Sequence, residues 1–289
     1  MSRRRSRHHR SQHADQDDPC HDVPVETLAQ FQTVTAETAV QAARTWWDAN
    51  AAAYQAEHAD DLGSARFLWC PEGVDEADVH LLGDVDGADV LEVGAGAAQC
   101  SRWLVGTGAR VLATDVSASM LAAAADLNAR TGVVVPLVQA DARMLPLPEE
   151  CVDVVFTAFG ALPFVADTQT VHREVARVLR PGGRWVFSVT HPMRWAFPDD
   201  PGLPGLTACH SYFDRRSYTE TDAYGAVVYT EHHRTVGDLV SDVVGAGFVL
   251  DALVEPEWPD NLDRAWGGWG PVRGALLPGT LIVQAHLPG

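Results

Sequence analysis

The stretch Asp89-Val-Leu-Glu-Val-Gly-Ala-Gly-Ala-Ala-Gln-Cys-Ser-Arg-Trp-Leu104 decides the fold of this chain. Its apolar positions 90, 91 and 93 predict a short buried parallel strand. Gly94 and Gly96 then allow a sharp turn and a close approach of the backbone to a ligand. Residues 97–104 predict a helix, and the free N–H groups at its start face the same crevice. Together, the strand, turn and helix indicate a crevice for a nucleotide-like ligand.

An acidic residue after the next strand sharpens this interpretation. Residues 111–113 predict a second strand that runs up to Asp115, which follows Gly94 by 21 positions. At this distance an acidic side chain meets the hydroxyl pair of a ribose. The turn and Asp115 therefore indicate a nucleoside-containing cofactor, which is either a nicotinamide dinucleotide or S-adenosylmethionine.

Three features favour S-adenosylmethionine over the dinucleotide. Alanines at positions 97 and 98 replace the third glycine of the dinucleotide fingerprint, which a cofactor without a pyrophosphate tolerates. Glu92, two residues before Gly94, would repel a pyrophosphate but could hold an ammonium or sulfonium group. The third feature is Asp141, downstream of the predicted third strand at residues 133–138.

Four motifs in this order resemble those of the class I S-adenosylmethionine-dependent methyltransferases. They are Val90-Leu-Glu-Val-Gly-Ala-Gly96, Asp115, Gln139-Ala-Asp-Ala142 and Leu179-Arg-Pro-Gly-Gly183. The similarity is to the small-molecule group that resembles ubiquinone/menaquinone-biosynthesis enzymes, and Ala98 departs from the glycine usual there. The resemblance implies a Rossmann-like α/β fold with a seven-stranded, mostly parallel sheet, a C-terminal antiparallel strand and helices on both faces. It also implies S-adenosyl-L-methionine as the cofactor.

The resemblance further implies roles for single residues. Asp141 would accept from the adenine amino group and the Ala142 N–H would donate to a ring nitrogen, whereas the alternative for Asp141 is a turn cap. Tyr54 or Trp47, on an N-terminal helix, would close over the methionine end through a cation–π contact, whereas the alternative is a helix that only packs on the domain. The residues predicted to bind the cofactor are Tyr54, Glu92, Gly94, Ala95, Gly96, Asp115, Val116, Met120, Asp141, Ala142 and Phe159.

Composition limits the other partners of this 289-residue chain. The formal net charge is −18, which argues against nucleic acid or an anionic membrane as a main partner. The sequence contains no stretch of 18 apolar residues, so we expect no membrane span and a cytoplasmic protein. Five widely spaced cysteines predict neither a disulfide framework nor a metal site. Whether the chain forms a homodimer stays open.

The chain divides into three predicted parts. Residues 1–22 read as a disordered tail, with nucleic-acid or metal binding as alternatives. Residues 23–82 read as an N-terminal helical cap, mostly helix over 25–58. Residues 83–289 read as the methyltransferase domain, in which the aromatic-rich segment 191–234 predicts a substrate-binding insertion with a hairpin near Gly225. The alternative for this segment is a structural insertion or a dimer surface.

The predicted reaction is methyl transfer to a small-molecule acceptor by direct displacement, for which the protein mainly supplies alignment and desolvation. A base is needed only for a protonated acceptor, and His191, directly after the fifth predicted strand, is the first candidate. A nicotinamide-dependent oxidoreductase is an alternative, although it would need a hydride-transfer site such as Tyr-x-x-x-Lys, which is impossible in a chain without Lys. A non-catalytic cofactor-binding protein of the same fold stays open.

Overall fold

The computed structural model of this chain describes residues 28–289, so the predicted tail at residues 1–22 lies outside it. The strands are β1 (Leu28–Gln32), β2 (Asp89–Val93), β3 (Arg110–Asp115), β4 (Leu137–Gln139), β5 (Val152–Ala158), β6 (Leu179–Thr190), β7 (Ser217–Thr221), β8 (Val227–Glu231), β9 (Val249–Val254) and β10 (Thr280–His286). The helices are α1 (Ala36–Leu62), α2 (Glu76–Val79), α3 (Gln99–Gly106), α4 (Ala118–Thr131), α5 (Thr168–Val178), α6 (Val236–Gly245) and α7 (Pro271–Gly274). Within these residues, every helix is too short or too polar to span a bilayer.

Seven strands form the main sheet in the order β4-β3-β2-β5-β6-β10-β9. The first five of these pair in parallel, and β10 runs antiparallel to both of its neighbours. This arrangement confirms the predicted mostly parallel sheet with a C-terminal antiparallel strand. The chain runs outward from β2 to β4 and then returns to β5 on the other side of β2. Ligands of open α/β sheets bind at the carboxyl ends of the strands beside such a reversal.

The sheet is buried on both faces. One core cluster joins Leu91 of β2 to Val175 of α5 and Val243 of α6. A second cluster joins Val90, the chain neighbour of Leu91, to Leu104 of α3. Because successive side chains of a strand point to opposite faces, these two clusters lie on the two sides of the sheet. The predicted helices on both faces are therefore confirmed.

A second, smaller sheet joins the start of the described chain to the insertion at residues 191–234, in the order β1-β7-β8. The hairpin β7–β8 turns at Gly225, as the sequence predicts. The predicted helix over 25–58 is wrong at its start, because residues 28–32 form strand β1, antiparallel to β7. Helix α1 begins only at Ala36, where the Thr35 side chain accepts from the Thr38 N–H. The partner of β1 is distant in sequence, so local composition could not reveal this strand.

The predicted third strand is also shorter than residues 133–138. Strand β4 covers only Leu137–Gln139 at the edge of the sheet. Pro136 has no N–H to donate to a neighbouring strand, although its carbonyl accepts from the Ala113 N–H. The proline therefore delays regular pairing until the end of the apolar run.

Candidate cofactor and active site

A cleft lies at the carboxyl ends of β2, β3 and β5, with an empty volume of about 1200 Å³ when the open solvent in its mouth is included. All eleven residues predicted to bind the cofactor line this cleft. They come from the strand ends and the turns that follow them, and also from the N-terminal helix α1. The structure therefore brings the predicted set together at one place.

The glycine turn forms the floor of the cleft. Gly94 has φ +68° and Gly96 has φ +53°, both in the left-handed region. A Cβ atom at Gly94 would lie 2.7 Å from the backbone nitrogen of Ala161, and one at Gly160 would lie 2.5 Å from the carbonyl oxygen of Gly94. The turn thus packs backbone against backbone on the loop after β5. Ala98 also has a left-handed φ of +57°, which explains why a glycine is usual at this position. An alanine in this conformation costs about 1 kcal/mol of stability relative to glycine.

Asp115 lies at the end of β3 and holds the glycine turn. Its Oδ2 accepts from the Gly96 N–H at 2.8 Å and its Oδ1 accepts from the Ser117 N–H at 2.8 Å. Burial raises the pKa of Asp115, while these backbone donors act in the opposite direction. Each carboxylate oxygen has a second lone pair, so the group can still accept from a hydroxyl in the cleft.

Glu92 lies below the turn and is almost fully buried. Its Oε2 accepts from both the N–H and the hydroxyl group of Ser101, in the first part of α3. Burial raises the pKa of Glu92 to about 7, although the Ser101 hydrogen bonds and the nearby Arg102 lower it. A cation in the cleft would stabilise the charged form of this carboxyl group.

At the other end of the cleft, Asp141 caps a turn, which is one of the two roles that the sequence left as alternatives. Its Oδ1 accepts from the Arg143 N–H at 2.9 Å, and the Arg143 guanidinium donates to both carboxylate oxygens. The turn cap is therefore present. Asp141 nevertheless lines the cleft together with Ala142, Val116 and Met120.

Besides Phe159, four aromatic residues line the cleft, and we call them the aromatic roof: Trp47, Tyr54, Phe164 and Trp266. The ring centroid of Trp47 lies 5.2 Å from that of Tyr54 and 5.5 Å from that of Phe164. His58 stacks on Trp266 at 4.3 Å, with 1° between the rings. Sequence reasoning proposed the two residues of α1 but missed the other two. No local signal separates them from the other aromatic residues in loops.

Helix α1 is fixed over the cleft at two points. Asp48 Oδ1 accepts from the Ser117 hydroxyl at 2.6 Å and from the Ser119 N–H at 3.0 Å, at the start of α4. Burial alone would raise the pKa of Asp48, but these hydrogen bonds outweigh it and lower the pKa. Near its other end, Asp61 pairs with Arg264, which also donates to the Pro71 carbonyl.

Comparison with known proteins assigns the family. A family model described as a methyltransferase domain matches residues 91–187. The demethylmenaquinone methyltransferase of Mycobacterium tuberculosis is 45% identical over 214 residues, which cover 70% of this chain and 76% of that protein. The chain belongs to the class I S-adenosylmethionine-dependent methyltransferases. It is an enzyme that uses S-adenosylmethionine to methylate a small-molecule acceptor.

Two further similarities agree with this assignment. The demethylmenaquinone methyltransferase of Mycolicibacterium paratuberculosis is 33% identical over 216 residues, covering 72% of this chain and 79% of that protein. The crystal structure of an S-adenosylmethionine-dependent methyltransferase from Mesorhizobium loti superimposes with a TM-score of 0.52 at 28% identity, covering 73% of this chain and 95% of that one.

The charges of this methyltransferase's cleft fit its cofactor. Among the described residues that line the cleft are the carboxyl groups of Glu92, Asp115 and Asp141, and none of these lining residues is Arg or His. A sulfonium and an ammonium group are favoured near carboxylates, whereas a pyrophosphate would be repelled. Residues 28–289 contain no cluster of His, Cys, Asp or Glu arranged to hold a metal ion.

His191, the predicted base, does not reach the cleft of the methyltransferase. Its ring is 4% exposed and caps the 3₁₀ helix at Pro192–Ala196, where Nδ1 accepts from the Met193 N–H at 3.1 Å. Its Nε2 lies 2.9 Å from Glu255 Oε1. His191 follows the end of β6, but its side chain turns into the next segment rather than toward the cofactor side. The His191 ring therefore stabilises the start of this 3₁₀ helix.

The insertion at residues 191–234 was also expected to bind the substrate, and the structure does not bring it to the cleft. No described residue that lines the cleft comes from this segment. Strand β8 packs on α1 instead, where the Tyr229 ring lies 5.2 Å from that of Trp46. Aromatic residues of the insertion therefore pack on α1, and they contact the helix outside the cleft.

Arg102 is a supporting residue of the methyltransferase that sequence reasoning missed. It is buried, and its Nη2 donates to the Ala97 carbonyl in the glycine turn at 2.5 Å. Its Nε donates to the Ser64 carbonyl at 2.5 Å, just after α1. Arg102 therefore links the turn to the N-terminal segment. A single arginine in a short helix gives no sequence signal for such a role.

Proposed function

We propose that the methyl acceptor is an uncharged, planar aromatic molecule of the quinol type, which lies against the aromatic roof. The roof is the observation that carries this proposal, because four rings from three segments converge on one cleft. Aromatic rings favour stacked and edge-to-face contacts with a planar ligand. The relatives named as demethylmenaquinone methyltransferases support the same class of acceptor.

The charge of the cleft supports an uncharged acceptor. The described lining residues offer three carboxyl groups and no Arg or His side chain to neutralise an anion. A carboxylated or phosphorylated acceptor would lose its hydration without gaining a partner. The side chains that α1 adds to the lining are also largely apolar, and they include Val40, Ala43 and Leu62.

The cofactor would lie along the floor of the cleft. The adenine would lie beside Asp141, Ala142 and Met120, the ribose hydroxyls would donate to Asp115, and the methionine part would extend over the glycine turn and Glu92. S-adenosylmethionine supplies a methyl carbon that its sulfonium already activates. This chain's own residues would then align the acceptor and exclude water from the cleft.

The N-terminal part and the insertion would act as one cap on the acceptor side. Residues 23–82 supply α1 and two rings of the roof, and residues 191–234 support α1 through β8. Residues 83–289, apart from the insertion, would bind the cofactor together with Tyr54 of α1. In this division the insertion shapes the acceptor site without touching the acceptor.

A matched pair of substrates tests the proposed acceptor. Purified protein is incubated with methyl-labelled S-adenosylmethionine and either reduced 1,4-naphthoquinone or its 2-carboxylate, which have the same rings and differ by one charge. We expect label transfer to the uncharged ring, and kcat/KM at least tenfold lower for the carboxylate, since an unpaired buried charge costs well over 1 kcal/mol. Equal rates, or a preference for the carboxylate, would contradict the proposal.

A further inference from the structure

Gln55 of α1 has an unused hydrogen-bond donor at the cleft. Its side chain lines the cleft, and its amide nitrogen Nε2 is buried without a hydrogen-bond partner among the described residues. A buried amide that donates to nothing lowers stability, so such a group is retained where a ligand supplies the acceptor atom.

The position of Gln55 identifies the part of the ligand that it would meet. Strands β4, β3, β2 and β5 lie side by side, so a ligand with its adenine near Asp141 and its ribose at Asp115 continues over the end of β2. Helix α1 crosses the cleft in the same direction, because Glu37 near its start lies 3.9 Å from Arg143 and Asp48 bonds to Ser117.

The later turns of α1 therefore lie at the methionine end of the cleft. Tyr54, the residue before Gln55, lines the same cleft as Gln99 and Cys100 in the first turn of α3. Ser64, just beyond the end of α1, bonds through its carbonyl to Arg102 of α3. This hydrogen bond and the shared lining place Gln55 on the side of the cleft where α3 starts, near the glycine turn.

The methionine part of the cofactor carries an ammonium group and a carboxylate. Glu92 is a suitable partner for the ammonium group, but the carboxylate finds no Arg or His among the described lining residues. A guanidinium at this point would also repel the sulfonium and the ammonium group. A neutral N–H donor holds a carboxylate without that repulsion.

We propose that the Gln55 amide donates a hydrogen bond to the carboxylate of the cofactor's methionine part, and so serves as a positioning residue for the cofactor. The chain thereby recognises this carboxylate with a neutral side chain on its N-terminal helix. Because α1 also carries two rings of the aromatic roof, cofactor binding and closure of the acceptor side depend on the same helix.

Binding of two ligands to the full chain distinguishes a hydrogen bond from Gln55 to the cofactor carboxylate from a general change in the shape of the cleft. S-adenosylhomocysteine carries the amino-carboxypropyl chain, whereas 5′-methylthioadenosine keeps the adenosine and the sulfur but lacks that chain. Calorimetry compares the wild type with Gln55→Leu, which removes the amide at similar volume. The control is Gln41→Leu, on an exposed position of the same helix whose amide bonds only to Thr45.

We expect Gln55→Leu to weaken S-adenosylhomocysteine by about tenfold or more, and 5′-methylthioadenosine by less than twofold. Gln41→Leu should change neither affinity. Gln55→Glu is a second variant of nearly the same shape, and its charge should weaken S-adenosylhomocysteine at least as strongly.

Two outcomes would overturn the proposal. Equal weakening of both ligands would mean that Gln55 acts through the shape of the cleft, and unchanged affinity for both would mean that its amide donates elsewhere. No acceptor is present in these titrations, so their result does not depend on the proposed quinol. Failure of the quinol assay would leave the role of Gln55 standing.

Discussion

The floor and the roof of the cleft are built in opposite ways. The floor comes from backbone groups in one short stretch, Glu92–Ala98, together with the ends of β3 and β5. The roof comes from side chains on α1, on the 3₁₀ helix at Leu162–Phe164 and on the C-terminal loop at Trp266. The floor, which backbone groups form, has no room for an added atom, whereas the side chains of the roof can repack around a substitution. Substitutions should therefore harm the floor far more than the roof.

The largest expected effect is that of Gly94→Ala. A Cβ there would meet the Ala161 nitrogen at 2.7 Å, and φ is +68°. Left-handed strain and overpacking together should lower the free energy of unfolding by about 3 kcal/mol. Because the turn must shift to admit the Cβ atom, binding of S-adenosylhomocysteine should also fall roughly a hundredfold. Calorimetry and thermal unfolding measure both effects.

Gly87→Ala is the matched control, because Gly87 has the same φ of +68° and nothing within 4 Å of an added Cβ. It should lower the free energy of unfolding by about 1 kcal/mol and leave ligand affinity unchanged. Equal loss of affinity in the two variants would show that strain alone, rather than contact between two backbones, makes the floor intolerant.

Glu92→Gln should change how stability depends on pH. The pKa of Glu92 is raised to about 7 in the folded protein from an ordinary 4.5, so its proton is bound more tightly in the folded state. The stability that this adds is complete below pH 4.5 and is lost as the pH rises through 7. Between pH 5 and pH 8, the wild type should lose roughly 2–3 kcal/mol relative to the variant.

Urea unfolding of both proteins at these two pH values measures this difference. The exposed Glu149→Gln serves as control, and its stability should follow the wild-type pH profile because this variant keeps Glu92. If the stabilities of the wild type and of Glu92→Gln depended on pH in the same way, the pKa of the Glu92 carboxyl group would not be raised in the folded protein.

The smallest expected effect is on the roof. Trp266→Ala should raise the KM for an apolar aromatic acceptor roughly fivefold, because an aromatic pair contributes about 1 kcal/mol beyond its buried area. Affinity for S-adenosylhomocysteine should change less than twofold. Steady-state kinetics of this variant are compared with those of Phe213→Ala, an exposed ring in the insertion that should leave KM unaltered. If Trp266→Ala weakened S-adenosylhomocysteine binding more than it raised the KM for the acceptor, Trp266 would contact the cofactor rather than the acceptor.

This contrast also explains what the sequence could predict. The strand, the glycine turn and Asp115 are linked by fixed spacing along the chain, so the floor was readable from local pattern. Phe164 and Trp266 reach the roof only through tertiary packing, and β1 exists only because β7 lies beside it. His191 occupies the predicted position after β6, but the side-chain direction that places its ring in the 3₁₀ cap is not encoded in spacing.

The small sheet has a consequence for the order in which the molecule is made. During synthesis β1 and α1 are made before the strands of the main sheet, but β7 and β8 follow only from residue 217, and Trp266 later still. Once residue 190 has been made, the strand–turn–helix at residues 89–106 already has the parallel strands β3, β5 and β6 to pack with. Long-range pairing forms late because its loop must first be closed. A nascent chain can therefore hold its floor in place while β1, which was made earlier, still has no partner strand.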